Sequence, residues 1–475
     1  MPRSEQIKGG AARLWVYLRD KTALWRRWRH LNDLRTKQLL LGWRNVLPDY
    51  PVAEEPSQWK VSLPSWLLDQ RNQMTGPADN LDLAAKLLMS GSPGVMLDLE
   101  DSVANTWGAI TAGHENIKKV LSSELKIGNG TVVWFRPRGL HLSQYINTAA
   151  KVDIQIPASL YDLCEIFGDM TLESLPHAPC IMIPKCESTF DGQWWRDAFV
   201  AIERAKKWPL GTIKCMALVE SMPLPYHLEK FGEVLKNYLV GLALGRWDLM
   251  ASIIHFTFKR PDWIFPDRNA IPHNVTFFQH HRKQLVQFCH SHGLLAIGGM
   301  TALFPSRKDS ALNTLALDRL KADKQNEFDC GMDGAWTGHP DQNAIAVKCF
   351  RRKNQLKVRP GEEWLRPDLK AFPEREHLPV TIEGTKAALR TSILYRQGVL
   401  EGRGASLIDG YMEDLATDRI NRLMVGQRLA QKVHSEYDVG SAVEEILDSC
   451  DNAPLAKEAA KITLESITNG TFNPR

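Results

Sequence analysis

Seven short, almost wholly apolar runs recur along the chain, and each breaks abruptly into polar or glycine-rich sequence. They are GVMLDLED (94–101), TVVWFRPRG (131–139), PCIMIPKCES (179–188), KCMALVES (214–221), YLVGLALGRWD (238–248), LLAIGGM (294–300) and DGAWTGHP (333–340). A strand buried on both faces loses the alternation of a half-exposed strand and becomes continuously apolar. Most intervals between the runs, such as 189–208 and 276–292, have the length of a helix. Strands alternating with helices imply a parallel sheet, and this many of them imply an α/β fold of the (β/α)8 TIM-barrel type. The eighth strand is not obvious; VDIQIPA (152–158) and KVSLP (60–64) are the candidates.

The flanks have a different texture. Residues 12–42 carry apolar positions at helical spacing, and Pro48, Pro51 and Pro56 then mark a loop. After about residue 350 the apolar runs stop, and 384–400, 412–432, 441–450 and 454–468 read as helices. The expected organisation is an N-terminal helical segment (1–90), a barrel (91–350) and a C-terminal helical domain (351–475). Hydrophobic residues make up 44% and charged residues 24%, enough for a sizeable core, and a net charge of +4 argues against a nucleic-acid binder. No apolar run reaches the 18 residues of a membrane span. Eight cysteines without a C-x-x-C pair read as free thiols in a reducing compartment, so a cytoplasmic protein is expected. The first 40 residues hold ten Lys/Arg against three Asp/Glu. That pattern suits an amphipathic helix with a solvated basic face better than a transit or membrane-surface segment.

Catalytic groups of such barrels come from the C-terminal ends of the strands. Here Asp98, Glu100 and Asp101 end the first run, Arg136 and Arg138 the second, Lys185 the third, Glu220 the fourth and Asp248 the fifth. One carboxylate at a strand end often only caps the next helix. Charges ending five successive strands converge on one mouth, where they need a cation or an anionic ligand to be stable. Glu220 and Asp248, on neighbouring strands, suit a hard divalent ion such as Mg2+. The turn Gly245-Arg246-Trp247-Asp248 offers backbone N–H groups to a small carboxylate.

Read in order, ten segments resemble malate synthase: TGP (75–77), DLEDSVANTW (98–107), FRPRGLHL (135–142), PKCES (184–188), VESMP (219–223), GRWD (245–248), GGMTALFPS (299–306), KADK (321–324), DGAWTGHP (333–340) and MEDLATDRINR (412–422). The chain lacks the large inserted domain of that family's long isoform and is similar to the short one. The resemblance implies an acyltransferase of the glyoxylate cycle that condenses acetyl-CoA with glyoxylate and hydrolyses the product to malate and CoA. It implies that Glu220 and Asp248 hold Mg2+, that Arg136 is the catalytic arginine, and that Asp414 is the general base. It further implies that Gly245, Arg246 and Trp247 form the glyoxylate turn and that Pro305, in GGMTALFPS, belongs to the acetyl-CoA site. Glu100 and Asp101 would support the metal's waters or Arg136. His141 and His339 read as buried structural histidines. The only partners implied are small molecules, with no nucleic acid and no membrane, in a monomer or homo-oligomer.

The surroundings of these groups depart from the family pattern. Ala243-Leu244 stand where Asn-Cys is usual, Ala405–Ile408 where a sequence close to CVPI is usual, and Leu415–Asn421 replace the usual segment after the base. One alternative is therefore a related Mg-dependent enzyme using another 2-oxo acid or acyl-CoA. Another is a catalytically silent paralogue, against which stands the presence of Arg136, Glu220, Asp248 and Asp414 together.

Overall fold

The structure is a computed structural model that describes residues 8–43, 57–147, 153–367, 372–470 and 472. Its strands are β1 (Asn72–Pro77), β2 (Gly94–Asp98), β3 (Val132–Arg136), β4 (Ser143–Asn147), β5 (Asp153–Pro157), β6 (Cys180–Ile183), β7 (Lys214–Val219), β8 (Leu239–Leu244), β9 (Leu295–Met300), β10 (Gly334–Thr337), β11 (Ser406–Ile408) and β12 (Tyr411–Glu413). Eight of them close a barrel in the order β1-β10-β9-β8-β7-β6-β3-β2, with every pairing parallel. This is the (β/α)8 barrel expected, and all seven apolar runs supply strands to it.

The eighth strand is neither candidate. It is β1, whose sequence NQMTGP is too polar to stand out by hydropathy. Its polar groups are buried because they are paired: Asn72 Nδ2 donates to Thr337 Oγ1 (2.9 Å) and Asn343 Oδ1 (2.8 Å) on the outer face, and Gln73 Nε2 to Gln70 Oε1 (2.9 Å) on the inner one. VDIQIPA instead forms β5, which pairs with β4 in an antiparallel hairpin outside the barrel. KVSLP lies in a segment that closes the bottom, where Leu63, Trp66 and Leu67 pack on the barrel's interior cluster. The barrel therefore starts at Asn72, inside the segment read as N-terminal helix.

Two cores follow from the strand geometry. Met96, Trp134, Met182, Met216, Leu218, Leu295 and Ile297 fill the barrel interior. Their neighbours Val95, Leu97, Val133, Phe135, Ile181 and Cys215 face outward into a second, larger cluster beneath the helices. The N-terminal stretch is two helices, Gly9–Lys21 and Leu24–Trp43, broken at Thr22. Leu14, Trp15, Leu18, Leu24 and Trp28 are buried against the barrel's outer helices, which leaves Arg13, Arg19, Arg26, Arg27 and Arg29 exposed, while Arg35 turns inward to Asp191 (2.8 Å). Among the described residues all cysteines are free thiols, and no helix is long and apolar enough to cross a membrane.

The C-terminal helices Ile382–Leu400, Leu415–Ala430, Val439–Asp448 and Ala453–Thr468 pack together. Helix Leu415–Ala430 also lies along helix Arg246–Thr257, which follows β8. Ahead of it lies the β11–β12 hairpin, whose second strand takes the first residues of the helix read over 412–432. That hairpin is bonded to the chain after β9: Met412 N donates to Ala302 O (2.9 Å) and Phe304 N to Gly410 O (3.0 Å).

Gly334 opens β10, and a Cβ there would land on the Gln70 carbonyl oxygen leading into β1. Gly334→Ala is expected to destabilise the barrel by about 3 kcal/mol, the upper range for overpacking; urea unfolding would measure it.

Candidate active site

The strand-end charges do converge. Arg136, at the end of β3, is buried and clamped by Asp98 at the end of β2: Nε donates to Oδ1 (2.5 Å) and Nη2 to Oδ2 (2.6 Å). Its Nη1 reaches Asp101 (3.2 Å) and lies 3.7 Å from Glu100. Asp98 also accepts from Glu100 N and from the Ser102 amide and hydroxyl, so the β2 loop is folded around it. Burial alone would raise the Asp98 pKa, but the Arg136 charge and these donors hold it below the usual carboxylate range.

Lys185 is the hub, a role the strand-end reading did not give it. Its ammonium is 2.9 Å from both oxygens of Asp101, 2.8 Å from Asp248, 3.5 Å from Glu100 and 4.0 Å from Glu220. Its backbone is left-handed (φ 50°), which is strained for a lysine, and its N–H donates to Glu220 Oε1 (2.7 Å). Arg419 adds a cation 3.5 Å from Asp248 Oδ1.

Positive charge is still short. Among the described residues, Asp98, Glu100, Asp101, Glu220, Asp248 and Asp414 gather around three cations, Arg136, Lys185 and Arg419. Both oxygens of Glu100 and Oδ1 of Asp248 are buried without a hydrogen-bond donor. Burial, then the neighbouring acids, raises Glu100 well above its ordinary value and pushes Glu220 up to about 8. Asp248, like Asp98, is held low, because Lys185 and Arg419 overcome its burial. Among the described residues no three His, Cys, Asp or Glu side chains form a closed metal cage. Two carboxylates beside orphaned oxygens fit Mg2+, which takes few protein ligands and keeps its other positions for water or substrate.

In the turn after β8, Asp248 turns its side chain to the mouth, whereas Arg246 and Trp247 contribute backbone. Gly245 must be glycine, since a Cβ would sit 2.6 Å from Glu220 Cβ and Oε2. The amides of Arg246, Trp247 and Asp248 precede the first intrahelical bond, Leu249 N–H to Gly245 O, and are therefore open to an anion. The Arg246 guanidinium turns away to Asp323 (2.8 and 2.9 Å) and Met300 O (2.8 Å). The Trp247 ring turns away to Arg268 and His273.

Asp414 arrives from the C-terminal side. It caps helix Leu415–Ala430, its Oδ1 accepting from Ala416 N (3.0 Å) and Thr417 N (3.2 Å). Leu415 N donates to Asp101 O (3.2 Å), which ties this helix start to the barrel mouth. Burial and the charges of Asp101 and Asp248 push Asp414 up to about 7. Asp414 and Arg136 line one cavity of about 580 Å3, together with Thr75, Gly76 and Pro77 at the end of β1. Phe304 and Met300 line it too, whereas the neighbouring Pro305 is buried outside it.

Other residues are structural. Arg138 pairs with Asp162 (2.7 Å) and Gln144 (3.0 Å). His141 lies within 4.0 Å of Glu100, and burial holds its pKa well below normal. His339 is half-exposed rather than buried: its Nδ1 caps helix Pro340–Cys349 by accepting from Asp341 N (3.2 Å). Arg268 was not legible in the sequence. It grips Glu413, the residue before Asp414, at 2.7 and 2.5 Å, and only the fold brings these two positions together.

Fold and site thus define a (β/α)8 protein with an acid-rich mouth over which a helical domain places one more carboxylate. The family model of the malate synthase TIM barrel domain matches residues 132–368. Malate synthase A of Escherichia coli is 32% identical over 410 residues, spanning 80% of this chain and 75% of that protein. Malate synthase of Streptomyces clavuligerus is 32% identical over 410 residues, spanning 81% and 75%. The chain belongs to the malate synthase family. A solved malate synthase of Haloferax volcanii, in a pyruvate/acetyl-CoA ternary complex, shares the fold with a TM-score of 0.52 at 16% identity, over 82% of this chain and 97% of that one.

Gly245→Ala is expected to displace Glu220 while the barrel stays folded, and to raise the Mg2+ concentration for half-activation by about tenfold, the lower range for a disturbed ligand support. A metal titration of activity checks it.

Proposed function

We propose that this protein joins the methyl carbon of acetyl-CoA to the aldehyde carbon of glyoxylate and then hydrolyses the thioester to malate and free CoA. The observation that carries the reading is the placement of Asp414 and Arg136 on one cavity at the carboxylate-rich mouth. A carbon acid as weak as a thioester methyl group needs a base on one side and a fixed positive charge on the other.

In this reading Asp414 takes a methyl proton, and the electron pair moves onto the thioester oxygen. Arg136 stabilises that enolate oxygen. Its orientation is preset by Asp98, so no reorganisation accompanies the charge transfer. The enolate carbon attacks the aldehyde, forming the new carbon–carbon bond. The open amides of residues 246–248 hold the glyoxylate carboxylate. Glu220 and Asp248 would hold Mg2+, which supplies Lewis-acid polarisation of the aldehyde and countercharge for the alkoxide. Water then cleaves the malyl thioester, and the thiol leaves with a proton. The cavity beside Thr75–Pro77 and Phe304 accommodates the CoA arm. Buried free thiols favour a reducing, cytoplasmic setting.

Thiol release from acetyl-CoA, followed with a chromogenic disulfide, is expected to need both glyoxylate and Mg2+. No release from folded protein would refute the proposal and direct attention to Ala243-Leu244 and Ala405–Ile408. Asp414→Asn should lower kcat by about 10³-fold, within the range for loss of a general base. Arg136→Lys should lower it by about 10²-fold, because lysine lacks the planar fork. Only ionised Asp414 is active, and its carboxyl is held up to about 7. A bound cation lowers that value. A pH profile of kcat/KM should therefore rise with pH along a limb at or below 7, and Asp414→Asn should abolish that limb.

A further inference from the structure

Behind the wall that carries Asp414 lies a second cavity, of about 470 Å3, lined by Trp247, Arg268, His273, Asn274, Arg319 and Tyr411 among others. The wall is two chain segments. Residues 300–304 follow β9, and 411–414 form β12 and the helix cap; they are joined by the Met412–Ala302 and Phe304–Gly410 bonds and the Leu303–Tyr411 bridge. Met300, Phe304, Met412 and Asp414 face the first cavity. Thr301, Ala302, Leu303 and Tyr411 face the second. The proposed reaction uses none of the second set.

The lining of this cavity includes one carboxylate, Asp323, which is buried and paired with Arg246, Arg282 and Lys324. Arg282 and Lys324 also reach Glu327, so three cations stand against two acids there. At its mouth Arg319 is exposed and bonded to the Tyr411 hydroxyl (3.0 Å), and among the described residues it has no carboxylate partner. Arg319, Ala322 and Asn326 lie on one face of helix Ser310–Asp329 and form one side of the cavity. Asn274 also lines the cavity. The volume is that of a small-molecule site.

We propose that this cavity binds a small organic oxyanion, carrying a carboxylate or a phosphate, and that its occupancy acts on the placement of Asp414. The coupling is mechanical. A ligand there touches Tyr411 and the Arg268 guanidinium, and Arg268 holds Glu413, one residue from Asp414. The effect on catalysis rests on the function proposed above, whereas binding does not.

The test is calorimetric titration of succinate and, separately, inorganic phosphate into the full chain with Mg2+ and glyoxylate present, so that the catalytic mouth is filled. The two anions distinguish a carboxylate from a phosphate ligand. Arg319→Gln and Ala322→Trp, both at exposed helix positions, are compared with the parent protein after their thermal unfolding is shown to match it. The expected result is saturable binding of at least one anion. Affinity should fall about tenfold or more in Arg319→Gln, as for loss of one charge-assisted contact, and binding should vanish in Ala322→Trp. Amide exchange at residues 410–413 should slow on binding in the parent only. Absence of saturable binding by either anion, or binding unchanged in both variants, would overturn the proposal.

Discussion

Burying like charges together is the costliest thing this chain does, and the barrel mouth is arranged around it. Five carboxylates from the ends of β2, β7 and β8 and their loops meet within reach of one lysine ammonium and two guanidinium groups. An uncompensated carboxylate in such a place neutralises itself by taking up a proton. Glu100 and Glu220 are pushed that way, while Asp98 and Asp248 stay ionised because arginine or lysine is directly bonded to them. The acids thus divide into those already paired and those waiting for a cation.

In the proposed reaction a base must stand opposite that charge without belonging to it. Asp414, the proposed base, comes from the C-terminal helical region and is fixed from three sides. Its own helix supplies two amides to the carboxylate, Leu415 ties the cap to Asp101 O, and Arg268 grips the preceding Glu413. Each anchor lies on a different segment, so the position of the base depends on the docking of the whole domain. The wall holding Asp414 is also only two segments thick, with a cavity on each face.

How much of this was legible beforehand depended on whether a residue's role is written in local pattern or in distant pairing. The barrel was readable because strands covered on both faces must be apolar, and the strand-end charges stood out against those runs. β1 escaped because its burial is satisfied by hydrogen bonds from Asn72 and Gln73. The convergence of Arg136, Glu220 and Asp248 followed from barrel geometry. The turn Gly245-Arg246-Trp247-Asp248 was legible as a source of backbone amides, but not the partners that draw the Arg246 and Trp247 side chains away, Asp323 and Arg268. Lys185 was visible as a charge but not as a hub, and Arg268 was not visible at all. Both act through partners far away in sequence, Asp101 and Asp248 for one and Glu413 for the other.

We propose that Glu220 and Asp248, beside the unsatisfied oxygens of Glu100, hold one divalent cation at the mouth. Calorimetric titration of Mg2+ into the metal-stripped protein, alongside Asp248→Asn, tests this without reliance on turnover. One Mg2+ per chain is expected for the parent protein, with loss of that binding in the variant. Failure of the parent to bind, or equal binding by the variant, would contradict it.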